Sequence, residues 1–270
     1  MKARIPIVVL AGLVFATAAA AQWLNYPSPD VPRTKDGKAN LSAHAPKSRN
    51  GKPDLSGIWR AAPDPRGTPE GVENEIFPRY FLNMAKDLKP EELLLRLPAD
   101  ALFKERVQSE GTLNLAPEAR CVPVGVPGIN TFPLAFKILQ MPRLIVMLFE
   151  KDTTYRQIFM DGRPLPQDPN PSFMGYSVGR WEGDTLVVES VGFRNGGWLD
   201  RMGHPFSDQL RLTERYRRRD FGHLSIEMTI DDPKTYAKPL QYTQPAVLLR
   251  DTDLLEYYCT ENEKDTPHFK

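Results

Sequence analysis

From Phe136 onward, apolar and polar residues alternate with a period of two, in runs of five to ten residues separated by turn chemistry. FKILQMPRLIVMLFEKD reads as two strands broken near Pro142, and in TTYRQIFMDGR the residues Tyr155, Gln157 and Phe159 alternate with Arg156, Ile158 and Met160. GYSVGRWEGDTLVVESVGF has the form of a hairpin, with Glu182, Gly183 and Asp184 as its turn. QLRLTERYRRRDFGHLSIEMTI is a second hairpin, turning at residues 220–222, and AVLLRDTDLLEYYCTE a third, turning near Asp251. No helix between these strands is long enough to cross from one parallel strand to the next. The pattern therefore predicts a mainly β protein, a meander of about eight or more antiparallel strands that closes into an up-and-down barrel because closure removes exposed edges. A β-sandwich is the alternative.

The N-terminal half follows other rules. Residues 1–21, MKARIPIVVLAGLVFATAAAA, have the charged start, short apolar run and small-residue end of a cleaved secretory signal peptide. Nothing later reaches the roughly 20 apolar residues of a membrane span. The mature protein is thus expected to be soluble and exported, periplasmic or secreted. Residues 22–53 are rich in Pro, Lys, Asn and Ser with almost no apolar periodicity, and read as a flexible arm. Residues 54–270 read as a single β-barrel domain, opened by PDLSGIWR and including a helical segment at about 76–111, where Leu, Glu, Lys and Arg dominate and Pro90 and Pro98 mark helix starts. LAPEARCVPVGVPGINTFPL carries too many prolines and glycines for regular structure and reads as a buried connection.

Charge adds an exclusion. Lys and Arg number 35 against 34 Asp and Glu, so no strong field favours nucleic acid or an anionic membrane. The two cysteines, Cys121 and Cys259, have one possible pairing in an oxidising compartment, and a disulfide closing so long a loop is worth about 4 to 5 kcal/mol in the chain-entropy model.

The stretches PDLSGIWR, FKILQMPRLIVMLFE, YRQIFMDGR, MGYSVGRWEGDTLVVESVGF, WLDRMGHPFSDQLRLTERYRRRD and LLEYYCTENEKD together resemble an uncharacterised family of secreted bacterial proteins found in acidobacteria and some proteobacteria. That resemblance implies a family and no activity. Gly57, Ile58 and Trp59 near the first strand also resemble the G-x-W signature of lipocalin-like (calycin) barrels, which implies a small-molecule binding fold.

Candidate chemistry concentrates in WLDRMGHPFSDQL, a long connection between two strands. Asp200, His204 and Asp208 recur at four-residue spacing, with Gly203 and Pro205 excluding a regular helix, so the loop itself must bring them together if His204 is to act as a general base. On the strand 222–230, Leu224, Ile226, Met228 and Ile230 form one face and His223, Ser225, Glu227 and Thr229 the other. If the apolar face lines the interior, the polar face is wet; otherwise His223 and Glu227 transfer protons inside. Trp198, Trp181 and Tyr176 are candidate stacking surfaces for a ligand or else core aromatics. Arg156 and Arg215 are candidate anchors for an anion, although the arginines around Leu212, Glu214 and Tyr216 also read as partners of carboxylates such as Glu182 or Glu189. Ser207 lacks the G-x-S-x-G elbow of a hydrolase. Asp200, His204, Asp208 and His223 are an alternative metal-ligand set, but without H-E-x-x-H or comparably specific spacing, so neither a metal nor a cofactor is expected.

The leading expectation is a periplasmic barrel that binds a small, partly apolar molecule, with acid/base chemistry by His204 and Asp200 at its mouth. The alternatives are a lyase, isomerase or hydrolase acting on a plant- or sterol-derived compound or a modified sugar, and an envelope protein that docks through its arm. The pattern leaves the oligomeric state open.

Overall fold

The computed structural model describes residues 28, 30–62, 83–85, 88–89, 92–108, 116–117 and 121–258. The signal segment 1–21, Pro90 with residues 76–82, 86–87, 91 and 109–111 of the predicted helical stretch, and Cys259 with the proposed Cys121–Cys259 bridge lie outside the described residues. Within the described part of that stretch the α-helix is confined to Ala99–Gln108, and 93–98 is not helical, Leu95 bridging Tyr236 instead. Nine strands close into one barrel in sequence order. They are β1 Gly57–Ala61, β2 Ala135–Gln140, β3 Leu144–Phe149, β4 Thr154–Phe159, β5 Tyr176–Glu182, β6 Thr185–Val191, β7 Arg211–Arg218, β8 His223–Asp231 and β9 Leu240–Leu249. The helix α1, Ala99–Gln108, begins directly after Pro98.

Most of the meander falls where the period-two pattern and turn residues put it. Gly183 adopts φ +59° between β5 and β6, and the β7–β8 turn spans 219–222, with the Arg219 amide donating to the His223 carbonyl. Two features differ from a simple up-and-down meander. The first is that β4 and β5 run parallel, meeting only at Ile158–Ser177 and Phe159–Val178. The Pro-rich connection 160–175 carries the chain back along the barrel before β5 starts. The second is the predicted third hairpin, which does not form: β9 is one strand running through Pro245 to Leu249, and residues 252–258 contain no strand. The edge of β9 is already taken by β1, through pairs such as Ile58–Leu249 and Ala61–Ala246, so a further strand has nothing to join.

Alternation fixes which side chains fill the barrel. Trp59, Phe136, Ile138, Ile145, Met147, Leu186, Leu212, Tyr216, Leu224, Ile226, Met228 and Ile230 are buried within one continuous core. The apolar face of β8 thus points inward, and Glu227 is exposed on the outside. At one end of the barrel lie the connections 150–153, 192–210 and 232–239. Helix α1 and the connection 121–134, whose Gly128–Thr131 turn is fully buried, lie against the 192–210 connection at this end.

The segment before β1 covers the opposite end, and it contains a repeat that hydropathy does not reveal. PRTKDGKANLS (32–42) and PKSRNGKPDLS (46–56) are two copies of one pattern. Each folds into the same turn. In the first copy the Thr34 hydroxyl meets Asp36 and donates to the Lys38 carbonyl, and the Asn40 amide reaches Pro32. Ser48, Asn50, Lys52, Asp54 and Pro46 repeat these contacts in the second. Residues 30–53, expected to be a flexible arm, are further tied to the barrel by the Phe221 and Gly222 amides, which donate to the carbonyls of Ala43 and Leu41. Polar turn side chains supply the hydrogen bonds that an apolar pattern would otherwise have to justify.

Gly37 and Gly51 sit at φ +80° and +78° in these turns, with nothing within 4 Å of an added Cβ. Gly51→Ala is therefore expected to cost about 1 kcal/mol from backbone conformation alone, and Gly51→Asn markedly less, because asparagine tolerates the left-handed region. Urea titration of the two variants checks this; equal losses would show that conformation is not the cause.

Candidate functional site

The predicted site residues do not form one constellation. In the 192–210 connection, the Leu199 amide donates to the His204 carbonyl at 2.8 Å, and Trp198 bridges Pro205. This small loop hairpin turns at Gly203 (φ +89°) and brings Asp200 and His204 together. The His204 Nδ1 lies 2.8 Å from both carboxylate oxygens of Asp200. The same carboxylate accepts the Met84 amide at 2.8 Å and the Met202 amide at 3.0 Å. The imidazole also stacks on Phe103 of α1, with ring centroids 4.6 Å apart. At 3 % and 2 % exposure, His204 and Asp200 are walled in.

Trp198 is likewise buried, with the Arg106 guanidinium 4.8 Å above its ring. Burial pushes the Arg106 pKa down to about 10, which leaves it charged at neutral pH. Asp208 is apart from the dyad, exposed and paired with Lys234, because the chain turns outward after Ser207. Ser207 itself donates to Asp232 through both its amide and its hydroxyl, each at 2.6 Å.

His223 and Glu227 do not meet either. His223 Nδ1 contacts Asp220 at 2.6 Å. Glu227 lines an outer groove of about 820 Å3 between the turn at 44–47 and strands β7 and β8. Arg215 pairs on the surface with Glu182 at 3.1 Å, and Arg180 contacts both Glu182 and Glu189. Trp181 is partly buried against the core.

Arg156 instead reaches into the barrel. Its guanidinium donates to Glu214 Oε1 at 3.0 Å and to Oε2, to Ser190 at 2.9 Å and to Ser177 at 3.1 Å. Neither charged side chain has any solvent exposure. Burial alone would lower the Arg156 pKa, but attraction to Glu214 and hydrogen bonds in the cluster more than reverse that. Tyr216 donates to Glu214 at 2.8 Å, and burial raises its phenol well above the usual range.

Glu214 escaped the sequence reading, which named it between the strand's arginines, gave it no role and offered Glu182 or Glu189 as their partners. Its signal was parity: Glu214 shares a face with Leu212 and Tyr216, and Arg156 shares one with Ile158, so opposite charges stood at two inward positions.

Nearby inward positions hold Tyr242 and Gln244. The Tyr242 hydroxyl and both amide atoms of Gln244 are buried without a hydrogen-bond partner among the described residues. An unpaired buried amide costs about 1–3 kcal/mol. Gln244→Leu is therefore expected to leave stability unchanged or raise it, and a fall in melting temperature would show that the amide is satisfied in solution.

One cleft lies at the surface beside this cluster. Beside the short β4/β5 pairing the two strands part, leaving a space of about 440 Å3 lined by Thr154, Tyr155, Arg156, Gln157 and Phe159 on one side and by residues 172–177 on the other. Its size lies within the about 300–1,000 Å3 of typical small-molecule sites. Two predicted ligand contacts, Arg156 and Tyr176, meet here. Phe159 stacks on Tyr176 at 5.2 Å, and Arg163 lies 3.9 Å over Phe159 while donating to the Tyr176 hydroxyl at 3.1 Å.

Among the described residues no three His, Cys, Asp or Glu side chains gather as a metal-holding group, and no helix is long and apolar enough to cross a membrane. No protein-family model and no curated protein matches the chain.

Proposed function

We propose that this protein is an exported binder of a small, partly apolar molecule, and that the molecule seats in the cleft between β4 and β5 rather than in the barrel interior. The observation that carries the reading is the cleft itself: aromatic walls with hydroxyl and amide groups beside strands that pair at only Ile158–Ser177 and Phe159–Val178. The interior offers less support, because large side chains from all nine strands meet there. The His204–Asp200 pair supports a structural role, since its imidazole is covered by Phe103 and its carboxylate is occupied by two backbone amides.

A thermal-shift screen of neutral small molecules tests the reading. Binding stabilises the folded state by mass action, so a true ligand is expected to raise the melting temperature of the wild type but not of Tyr155→Ala. His204→Ala should keep affinity within a few fold while losing stability. Ligands whose shifts survive Tyr155→Ala would place the site elsewhere. Export predicts a mature mass lacking residues 1–21, and about 2 Da less before reduction than after if Cys121 and Cys259 are joined.

A further inference from the structure

We infer that the β4/β5 cleft selects a neutral saccharide, through a stacking platform at Tyr155 and hydrogen bonds from Gln157. The inference rests on the cleft being the ligand site, and three observations name the class.

The first is the division of labour among the aromatics. Phe159 is already engaged by Tyr176 and Arg163, and Phe173 by Arg194 at 4.9 Å, so these rings form a fixed wall. Tyr155, 59 % exposed on the outward face of β4, makes no ring contact with any described residue. A flat exposed ring of this kind suits the C–H face of a pyranose, which is apolar across its plane while its rim is polar.

The second is the polar lining. The Gln157 carboxamide points outward beside Tyr155 and makes no hydrogen bond to described residues, as is true of the Thr154 hydroxyl; Ser172 donates only weakly, at 3.4 Å, to Gly175. A carboxamide offers two donors and an acceptor, which matches adjacent hydroxyls that each give and take a proton. A wholly apolar ligand would strip these groups of water and return nothing.

The third is charge. The cation among the lining residues, Arg156, is consumed by Glu214, Ser177 and Ser190, and Arg163 at the rim is held by both oxygens of Asp161. Arg194, exposed and stacked on Phe173, does not line the cleft, so the described lining residues offer neither a free cation for a carboxylate or phosphate nor a free carboxylate for an amine.

The test uses the mature protein with cellobiose, maltose and xylobiose as neutral probes, glucuronate as the charged probe and benzamide as the planar aromatic probe, read by calorimetry and saturation-transfer NMR. At least one neutral disaccharide is expected to bind, insensitively to salt, with saturation strongest on ring C–H protons. Tyr155→Ala should weaken it roughly tenfold and Gln157→Leu roughly fivefold, while Lys35→Ala, on a distant turn, changes nothing. If the disaccharides do not bind but benzamide or glucuronate does, with the same dependence on Tyr155, the saccharide inference falls and the cleft remains the ligand site. If no probe shows binding that depends on Tyr155, both fall.

Discussion

Glu214→Ala is expected to destabilise the barrel by about 3–5 kcal/mol, because it leaves the Arg156 guanidinium buried among Ser177, Ser190 and apolar walls with no counter-charge. For a domain of this size that corresponds to roughly 6–20 °C in melting temperature. The cost lies mainly in the stranded cation, since an intact buried pair gains little net free energy once desolvation is counted. Removing both charges should therefore do less harm than removing one: Arg156→Met combined with Glu214→Leu is expected to recover most of the loss. Urea unfolding of the wild type, the single variant and the double variant decides the matter. A double variant as unstable as the single one would mean that the cluster holds the barrel by its hydrogen-bond geometry instead. If Glu214→Ala yields no folded protein, a folded double variant still carries the argument.

Asp200→Ala is the second large effect, expected at about 3 kcal/mol. Four donors converge on this carboxylate, the amides of Met84 and Met202, the His204 ring and, at a longer 3.5 Å, the His204 amide. The Met84 amide and the His204 ring are buried and lose their partner without replacement, while the partly buried Met202 amide is only partly rescued by water. The damage should be local before it is global. Amide exchange is expected to accelerate first in 198–206 and in α1, whose Phe103 and Arg106 rest on His204 and Trp198. Asp200→Asn, which keeps one acceptor, should lose markedly less. Uniform acceleration across all nine strands would show that the loop and barrel unfold as one unit.

These two carboxylates show how far alternation could be read. The pattern on β7 sets Leu212, Glu214 and Tyr216 against Arg211, Thr213 and Arg215, and the first set is indeed inward. A charge at an inward position signals a buried partner, and Arg156 on the inward face of β4 was the available one. What alternation does not show is that β4 and β7 face each other across the barrel. The Asp200–His204 pairing was legible as a possibility from its spacing and from Gly203, which allows the tight return. Its enclosure was not, because Met84 and Phe103 come from segments about 100 residues away. His223 and Glu227 fail as a pair for a simpler reason: both lie on the outward face, and the nearer carboxylate, Asp220, takes the imidazole.

By itself, the sequence determined most of the strands and turns, because a pleated backbone places alternate side chains on opposite sides and glycine or aspartate marks where the chain reverses; which face of β8 points inward it left open. The tandem turn of the N-terminal segment is also local, its hydrogen bonds spanning only a few residues of the repeated 32–42 and 46–56, although composition read the segment as a flexible arm. Three things were decided only in the tertiary structure. The barrel is closed by β1 against β9, not by a last strand after Asp251. The β4/β5 pair is parallel, which opens the cleft. The dyad is sealed under α1. Each depends on contacts between residues far apart in the chain, whose pairing follows from competition for edges and for buried volume across the whole barrel, and no local periodicity records that competition.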